Sequence, residues 1–414
     1  MKITFKKLLV SICALALVFT MTGCSIFLSD GNNGNLNDSK QLSTAVTFTT
    51  TNTTEEYSFQ ECANLVKRSV VKIAMSTGGV NASYASGVIV DIKSDYRQDD
   101  EYYIITSHHV IATPMDITVY VPDQNSRNHG DDDYNEDYAF TGTIGGNRQA
   151  QHQVSLIGGD KNSDIAVLKL DVGDRNVSIV QSTVPTNDVK VEYAQEVFAI
   201  GNPSGELPMT FLNGYISYID RIAYISDVGY LTLIQHNCMI THGSSGGGLY
   251  NLSGQLIGIT NAGSDTYKGM NYAIPFYGEN GFVQIVSQLL GTYYAYPNNY
   301  GYVSGRWNLG VTIENSSSTV YGSKVRVISV EENGNCTQLN AGDYITKVIY
   351  GDKQFDITTL ESFSLAVMNA RRDLKLGDSI KFEYYRPNVF GNIYNPGTAT
   401  AQLTKQLIFC DTQA

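Results

Sequence analysis

The chain has 414 residues, 42% of them hydrophobic and 16% charged, with 28 Tyr and a formal net charge of −12. It is too long for one ordinary domain and has ample apolar material for buried cores, so two or three globular units are expected. The acidic balance argues against nucleic acid or an anionic headgroup layer as a partner, since both are bound through clustered Lys and Arg.

The first element is a charged start, Met1 to Lys7, leading into the apolar run Leu8 to Phe19 and then Met21-Thr22-Gly23-Cys24. The run is short for a spanning helix and reads as an export signal over residues 1–23. Small residues directly before a cysteine are similar to the lipobox at which bacterial lipoproteins are cleaved and diacylated, which makes Cys24 the lipid acceptor. A plain export signal with an incidental cysteine is the alternative. Loss of Lys2, Lys6 and Lys7 would leave a chain carrying −15, held at the cell membrane and facing its extracytoplasmic side. Residues 29–56 are mostly Asn, Ser, Thr, Asp and Gly, too poor in apolar groups to offset the entropy of ordering, so 24–56 is expected to be a flexible tether.

After the tether, Cys62 to Met75 opens with helical spacing and ends in the strand Val70-Val71-Lys72-Ile73. Short β-rich runs then follow one another to about residue 275, among them Ser86–Ile92, Tyr102–Thr106, Ile117–Val121, Ile165–Leu170, Glu196–Ile200 and Leu256–Thr260. Closely spaced strands without alternating helices point to an all-β barrel or sandwich. The acidic, Asn-rich stretch 123–138 reads as a solvated surface loop; its carboxylates suit a calcium ion, but their spacing is not that of an EF-hand. Phe282 to Leu290 has helical spacing and closes this region, 292–304 is a linker, and a second unit follows. Six cysteines are too few and scattered for a disulfide scaffold. A Cys336–Cys410 bridge stands beside the simpler reading that Cys62, Cys238, Cys336 and Cys410 are small buried hydrophobes.

Three segments carry chemistry, in the order Ile104–Ile111 with His108 and His109, Ser163–Leu168 with Asp164, and Gly243–Leu249 with Ser244 and Ser245. A serine hydroxyl is a poor nucleophile until a base within hydrogen-bond reach takes its proton. Histidine suits that task, with a free pKa of about 6.5, and a carboxylate fixes its tautomer and stabilises the imidazolium. Glycines around the serine allow a tight turn whose amides converge on a developing oxyanion.

These segments resemble those of the HtrA/Deg serine proteases, as do Ala199-Ile200-Gly201-Asn202-Pro203, Gly254–Ile259 and Tyr272-Ala273-Ile274-Pro275. The resemblance runs from about residue 57 to 405. It implies a mainly β fold: a chymotrypsin-like double β-barrel over 57–292, a linker over 293–304 and an α+β PDZ-like domain over 305–408. It also implies endoproteolysis without a cofactor or metal, and often a homotrimer. In the family's frame the base is His109, with His108 a solvent-facing neighbour, the orienting acid is Asp164, and the nucleophile is Ser245. The turn Gly243-Ser244-Ser245 forms the oxyanion hole, and Met239, Ile240, Tyr272 and Ala273 line the primary specificity pocket. No carboxylate stands there, which suggests small or medium aliphatic side chains before the cut.

Gly248 stands where the family has Pro and His242 where Pro is usual. The added glycine is expected to loosen the turn and leave a resting oxyanion hole that orders on binding. His236 and His242 make a zinc pair only with a third ligand, and none has suitable spacing. In the second unit, Gly305–Val311, Ala341–Ile345 and Leu376–Ile380 resemble PDZ segments, and Thr359 to Arg371 has helical spacing. The resemblance implies that amides of Asn308, Leu309, Gly310 and Val311 capture a peptide carboxylate beside a strand added to the sheet edge. The sequence thus points to an enzyme that cuts unfolded or damaged extracytoplasmic proteins. A catalytically silent peptide-binding scaffold or holdase is the rival.

Overall fold

The computed structural model describes residues 46–404, apart from 54, 78–79, 96, 113–114, 123–137, 145–151, 176, 206, 208, 226–227, 264–267, 279, 296–299, 304–306, 308, 333 and 389–393. The export segment, Cys24, nearly all of the acidic insertion, Asn308 and Cys410 therefore lie outside the described residues.

The chain enters through a two-stranded contact, Val46–Phe48 against Ile92–Ser94, and a short parallel pairing of Thr50–Thr51 with Val184–Pro185. Val46–Phe48 and Thr50–Thr51, expected in the tether, are therefore strands, and Val46 and Phe48 are buried against the barrels. Helix α1 (Phe59–Val66) starts at a capping box in which Ser58 and Glu61 bond each other's backbone amides, two of the N–H groups a helix start leaves open.

Seven strands then close a first barrel: β1 (Val70–Thr77), β2 (Val80–Val90), β3 (Glu101–Ser107), β4 (Met115–Tyr120), β5 (Ala139–Ile144), β6 (Val154–Asp160) and β7 (Ile165–Asp171). They are joined in the order β7-β3-β2-β1-β4-β5-β6. Six more close a second: β8 (Glu196–Gly201), β9 (Thr210–Ile225), β10 (Gly229–His236), β11 (Gly248–Asn251), β12 (Leu256–Gly263) and β13 (Asn271–Pro275), in the order β8-β9-β10-β13-β12-β11. β-branched and aromatic side chains alternate into each interior, and closure leaves neither sheet an open edge. Ile73, Ile89, Ile104, Phe140 and Leu168 fill the first barrel. The core of the second runs through Phe198, Leu233, Tyr250 and Ile259 and continues onto Val88, Ile105 and Val167 of the first, so the two barrels share one apolar seam. The fold is a chymotrypsin-like double β-barrel.

Helix α2 (Phe282–Ala295) packs on β6 and β7. It extends past the expected Leu290, so the start of the expected linker is helical. The end of that linker also packs: Gly301 N–H bonds Ile157 O, Thr292 Oγ bonds the backbone of Tyr302, and Tyr300 and Val303 are buried.

The C-terminal unit is α+β: β14 (Val311–Val320), β15 (Ser323–Val330), β16 (Tyr344–Tyr350), β17 (Lys353–Asp356), helix α3 (Leu360–Asp373), β18 (Ser379–Pro387) and β19 (Tyr394–Gln402). The sheet order is β14-β15-β16-β18-β19, with β17 also on β16, and its core surrounds Trp307, Val325, Ile345, Ala366 and Phe382. Thr359 and Ser362 cap α3, and β14 is an edge strand.

Cys62, Cys238 and Cys336 are buried free thiols; the Cys336–Cys410 pairing falls partly outside the described residues. His236, at the end of β10, is fully buried, and loss of solvation pushes its imidazole down to about 4 from the ordinary 6.5. The unfolded chain therefore takes up this proton first as pH falls, so His236 lowers stability progressively from pH 6.5 to 4 and adds no further loss below that. Thermal melting across this window should show a falling midpoint whose slope is shallower in His236→Leu; an unchanged slope would mean the buried ring is not the source.

Candidate active site

The site lies between the barrels, at the ends of β3 and β7 on one side and β12 on the other. β3 runs into a single helical turn, His108–Ile111. β6 and β7 are joined by the tight turn 161–164, whose last residue, Asp164, has φ 55°. That left-handed conformation is unusual outside Gly, though Asp tolerates it, and Ser163 Oγ braces the turn by donating to Asp160 Oδ2 at 2.6 Å. The backbone is locked to its neighbour, because His108 N–H donates to Asp164 O at 3.0 Å.

Asp164 is fully buried and His109 is partly exposed, its side chain at 37%. Oδ1 of Asp164 accepts from His109 N–H at 2.8 Å and Oδ2 lies 2.7 Å from His109 Nδ1. A carboxylate only accepts, so Nδ1 carries the proton and Nε2 is left as the basic nitrogen. A third donor, the carboxamide of Asn261 on β12, also reaches Asp164 Oδ2. A buried charge is tolerable when satisfied in this way.

His108 was expected in solvent and is instead buried, its ring against Gly159, where a Cβ would come within 2.8 Å of His108 Cδ2. The missing side chain on β6 makes the room. Burial pushes the His108 imidazole below its ordinary value, opposed by the charges of Asp164 and Asp160.

Ser245 sits on the turn between β10 and β11. Gly243 has φ 92° and Gly246 φ 84°. A side chain at Gly246 would strike Ser86 O at 2.2 Å, so glycine is required twice over. The turn is held from both barrels: Ser86 N–H donates to Ser245 O, Gly246 N–H to Thr260 O, and Thr260 Oγ1 to Ser244 O. Ser244 is buried, with its N–H given to Thr241 O and its hydroxyl accepting from Thr241 N–H. Its amide is thus spent inside the turn and serves no oxyanion. The amides of Gly243 and Ser245 have no acceptor among the described residues. Ser245 Oγ donates to Asn261 O at 3.0 Å.

Two residues not singled out from the sequence fix this turn. Ser86 Oγ donates to Gly243 O at 2.7 Å while accepting from Asn202 N–H at 2.9 Å. Asn202 Nδ2 also reaches Val71 O, and Asn202 Oδ1 takes Met209 N–H. Asn202 stands in the Ala199–Pro203 segment, so the segment was visible and the role was not. Gly248 does not loosen the turn: it is the first residue of β11, paired with Ile200 and Ile259, and a Cβ there would lie 2.3 Å from the Tyr250 ring. Glycine is needed at that place to admit the tyrosine.

The expected pocket residues divide. Ile240 is buried, Tyr272 half-buried, and Asn271 Oδ1 accepts from Ile240 N–H at 3.4 Å. Met239 is 60% exposed, and Ala273 is fully buried against Gly258 in the barrel core. His242 is exposed while His236 is buried. Among the described residues no group of three or more metal-ligating side chains is present. In the C-terminal unit Leu309 is buried and Gly310 has φ 68°.

Residues 85–259 match the trypsin-like peptidase domain. The chain is 28% identical to the serine endoprotease DegS of Haemophilus influenzae over 53% of its own length and 57% of that protein's. It is 27% identical to the serine protease Do-like HtrA of Lactococcus lactis over 82% of its own length and 75% of that protein's. The solved serine endoprotease of Yersinia pestis aligns with 85% of this chain and 99% of its own at 22% identity, with a TM-score of 0.49.

Ser86→Ala removes the donor that holds the Gly243 carbonyl, so proteolysis should drop by about 10- to 100-fold, less than the ~100- to 1000-fold cost of losing an oxyanion donor itself in another serine protease, and the melting temperature should fall because Gly243 O and Asn202 N–H are left buried without that partner. Equal rates for variant and wild type would show that Gly243 needs no such brace. Over residues 85–259 the chain is thus similar to a trypsin-like peptidase domain, and along more of its length to HtrA-type serine proteases.

Proposed function

We propose that the protein is a lipid-anchored, extracytoplasmic serine endopeptidase that cuts unfolded or damaged proteins through an acyl-enzyme, using Ser245, His109 and Asp164. The observation that supports this most is the buried Asp164 carboxylate fixing both N–H groups of His109, beside a glycine turn whose Gly243 and Ser245 amides are unclaimed among the described residues.

In this reading Ser245 Oγ attacks the peptide carbonyl carbon while its proton passes to His109 Nε2. The carbonyl oxygen takes up the negative charge and the Gly243 and Ser245 amides stabilise it. The C–N bond breaks and His109 returns the proton to the leaving amine, leaving an ester on Ser245. Water then attacks the ester, giving its proton to His109, and Ser245 departs with that proton. Asp164 stays ionised throughout and stabilises the imidazolium.

The C-terminal unit serves as a PDZ-like module that recruits or regulates. Its edge strand β14 lies beside α3, the arrangement in which an extended peptide adds to a sheet. Helix α3 also rests on β10 of the second barrel, where Met368 and Arg371 line a small cavity with Asn162, Ser163 and Tyr230. The lipid anchor rests on the Met21–Cys24 segment, and assembly as a homotrimer on the resemblance alone.

Incubation with labelled casein tests the enzymatic reading. Wild type should release acid-soluble fragments and Ser245→Ala should release none while still melting cooperatively. Cleavage that survives in Ser245→Ala, or intact casein bound tightly by wild type, would favour the scaffold reading instead.

A further inference from the structure

The far end of β12 carries no side chain where it meets β13. After a bulge at Asn261, Ala262 lies opposite Tyr272 and Gly263 opposite Asn271. Directly opposed residues share one face of a sheet, and here Asn271 takes the room that Gly263 leaves. A Cβ at Gly263 would come within 2.7 Å of Asn271 Oδ1 and 3.4 Å of Ile240 O. Asn271 Oδ1 in turn accepts from Ile240 N–H at 3.4 Å. The carboxamide therefore lies across the gap between β12, β13 and the chain that enters the nucleophile turn.

That gap adjoins the chemistry. Ile240 leads into the turn that carries Ser245, and Gly263 follows Asn261, whose carbonyl accepts the Ser245 hydroxyl at 3.0 Å. A peptide whose carbonyl carbon sits at Ser245 Oγ, with its oxygen on the Gly243 and Ser245 amides, turns the side chain before the cut toward the space these segments border. Packing alone does not account for an asparagine there. It is 4% exposed, and its Nδ2 has no hydrogen-bond partner among the described residues. A buried donor left unpaired is destabilising, and a hydrogen bond as long as that to Ile240 offsets little of the cost.

Resting on the peptidase reading above, we infer that Asn271 determines specificity at the residue before the cut. Its side chain fills the recess and limits that residue to a side chain no larger than that of Ala or Ser. This is narrower than the small or medium aliphatic range that the absence of a carboxylate suggests. The rejection is steric: a Val or Leu side chain has to displace a carboxamide held between the three segments. In other enzymes one methylene too many in a pocket changes kcat/KM by about 10- to 200-fold.

Quenched fluorescent peptides that differ only at the residue before the cut test this, built on the fastest site that mass spectrometry maps in digested casein. Wild type should cut after Ala or Ser with a kcat/KM at least about 10-fold above that after Val or Leu. Asn271→Gly empties the recess, so its ratio of Leu to Ala should rise by about 10-fold or more. Asn271→Leu refills the recess without a polar group and should keep the wild-type order, which separates bulk from hydrogen bonding. Equal efficiency after Ala and Leu in wild type, an unchanged ratio in an Asn271→Gly that still melts cooperatively, or ready cleavage after Leu by Asn271→Leu would overturn the inference. The first of these needs no variant to fold. Ser245→Ala run alongside separates the two claims: cleavage that survives there sinks the peptidase reading itself, whereas an inactive Ser245→Ala beside a wild type indifferent to the residue before the cut sinks only the role of Asn271.

Discussion

The site depends on one buried charge. Asp164 sits at zero side-chain exposure and is satisfied by three donors: the amide and ring nitrogen of His109 and the carboxamide of Asn261. An unsatisfied carboxylate at that depth would be strongly destabilising, so the three donors are a condition of folding as well as of chemistry. They come from both barrels, and their convergence ties the seam between the barrels to the orientation of the imidazole. The left-handed backbone at Asp164 is what aims the carboxylate there, and the bond from His108 N–H to Asp164 O holds that conformation.

The turn that carries Ser245 is placed by a different constraint, which is space. Gly243 and Gly246 adopt backbone conformations closed to most residues, and Gly246 passes so near Ser86 that no side chain fits. The contacts that fix the turn run through Ser86 on β2, Asn202 after β8 and Thr260 on β12. Strand residues from two closed barrels therefore fix the loop, and a site built on rigid elements is held more precisely than one on loops.

Much of this was legible in the residues. Closely spaced β-rich runs marked the strands, and the helix over residues 282–290 and that over 359–371 were visible as spacing. The three chemical segments were distinguishable as well. What failed was parity and depth. His108 and His109 differ in burial because Gly159 opens room for one of them, a long-range fact that no local pattern carries. Gly248 looked like added freedom and is a strand residue shaped by Tyr250. Asn261 gave no signal because a bulge is invisible to alternation until the partner strand is known. Similarity to DegS and HtrA proteases places the segments, and the hydrogen bonds say what each residue in them touches.

The central claim is that Ser245 is an activated nucleophile whose reactivity depends on the Asp164–His109 pair. Reaction with a fluorophosphonate, mapped by peptide mass spectrometry, measures this directly. The account predicts a single adduct on Ser245, with labelling of Asp164→Asn slower by about 10,000-fold, as for the equivalent change in another Ser-His-Asp enzyme. An adduct on Ser244 or elsewhere, or equal labelling rates in wild type and Asp164→Asn, would contradict it.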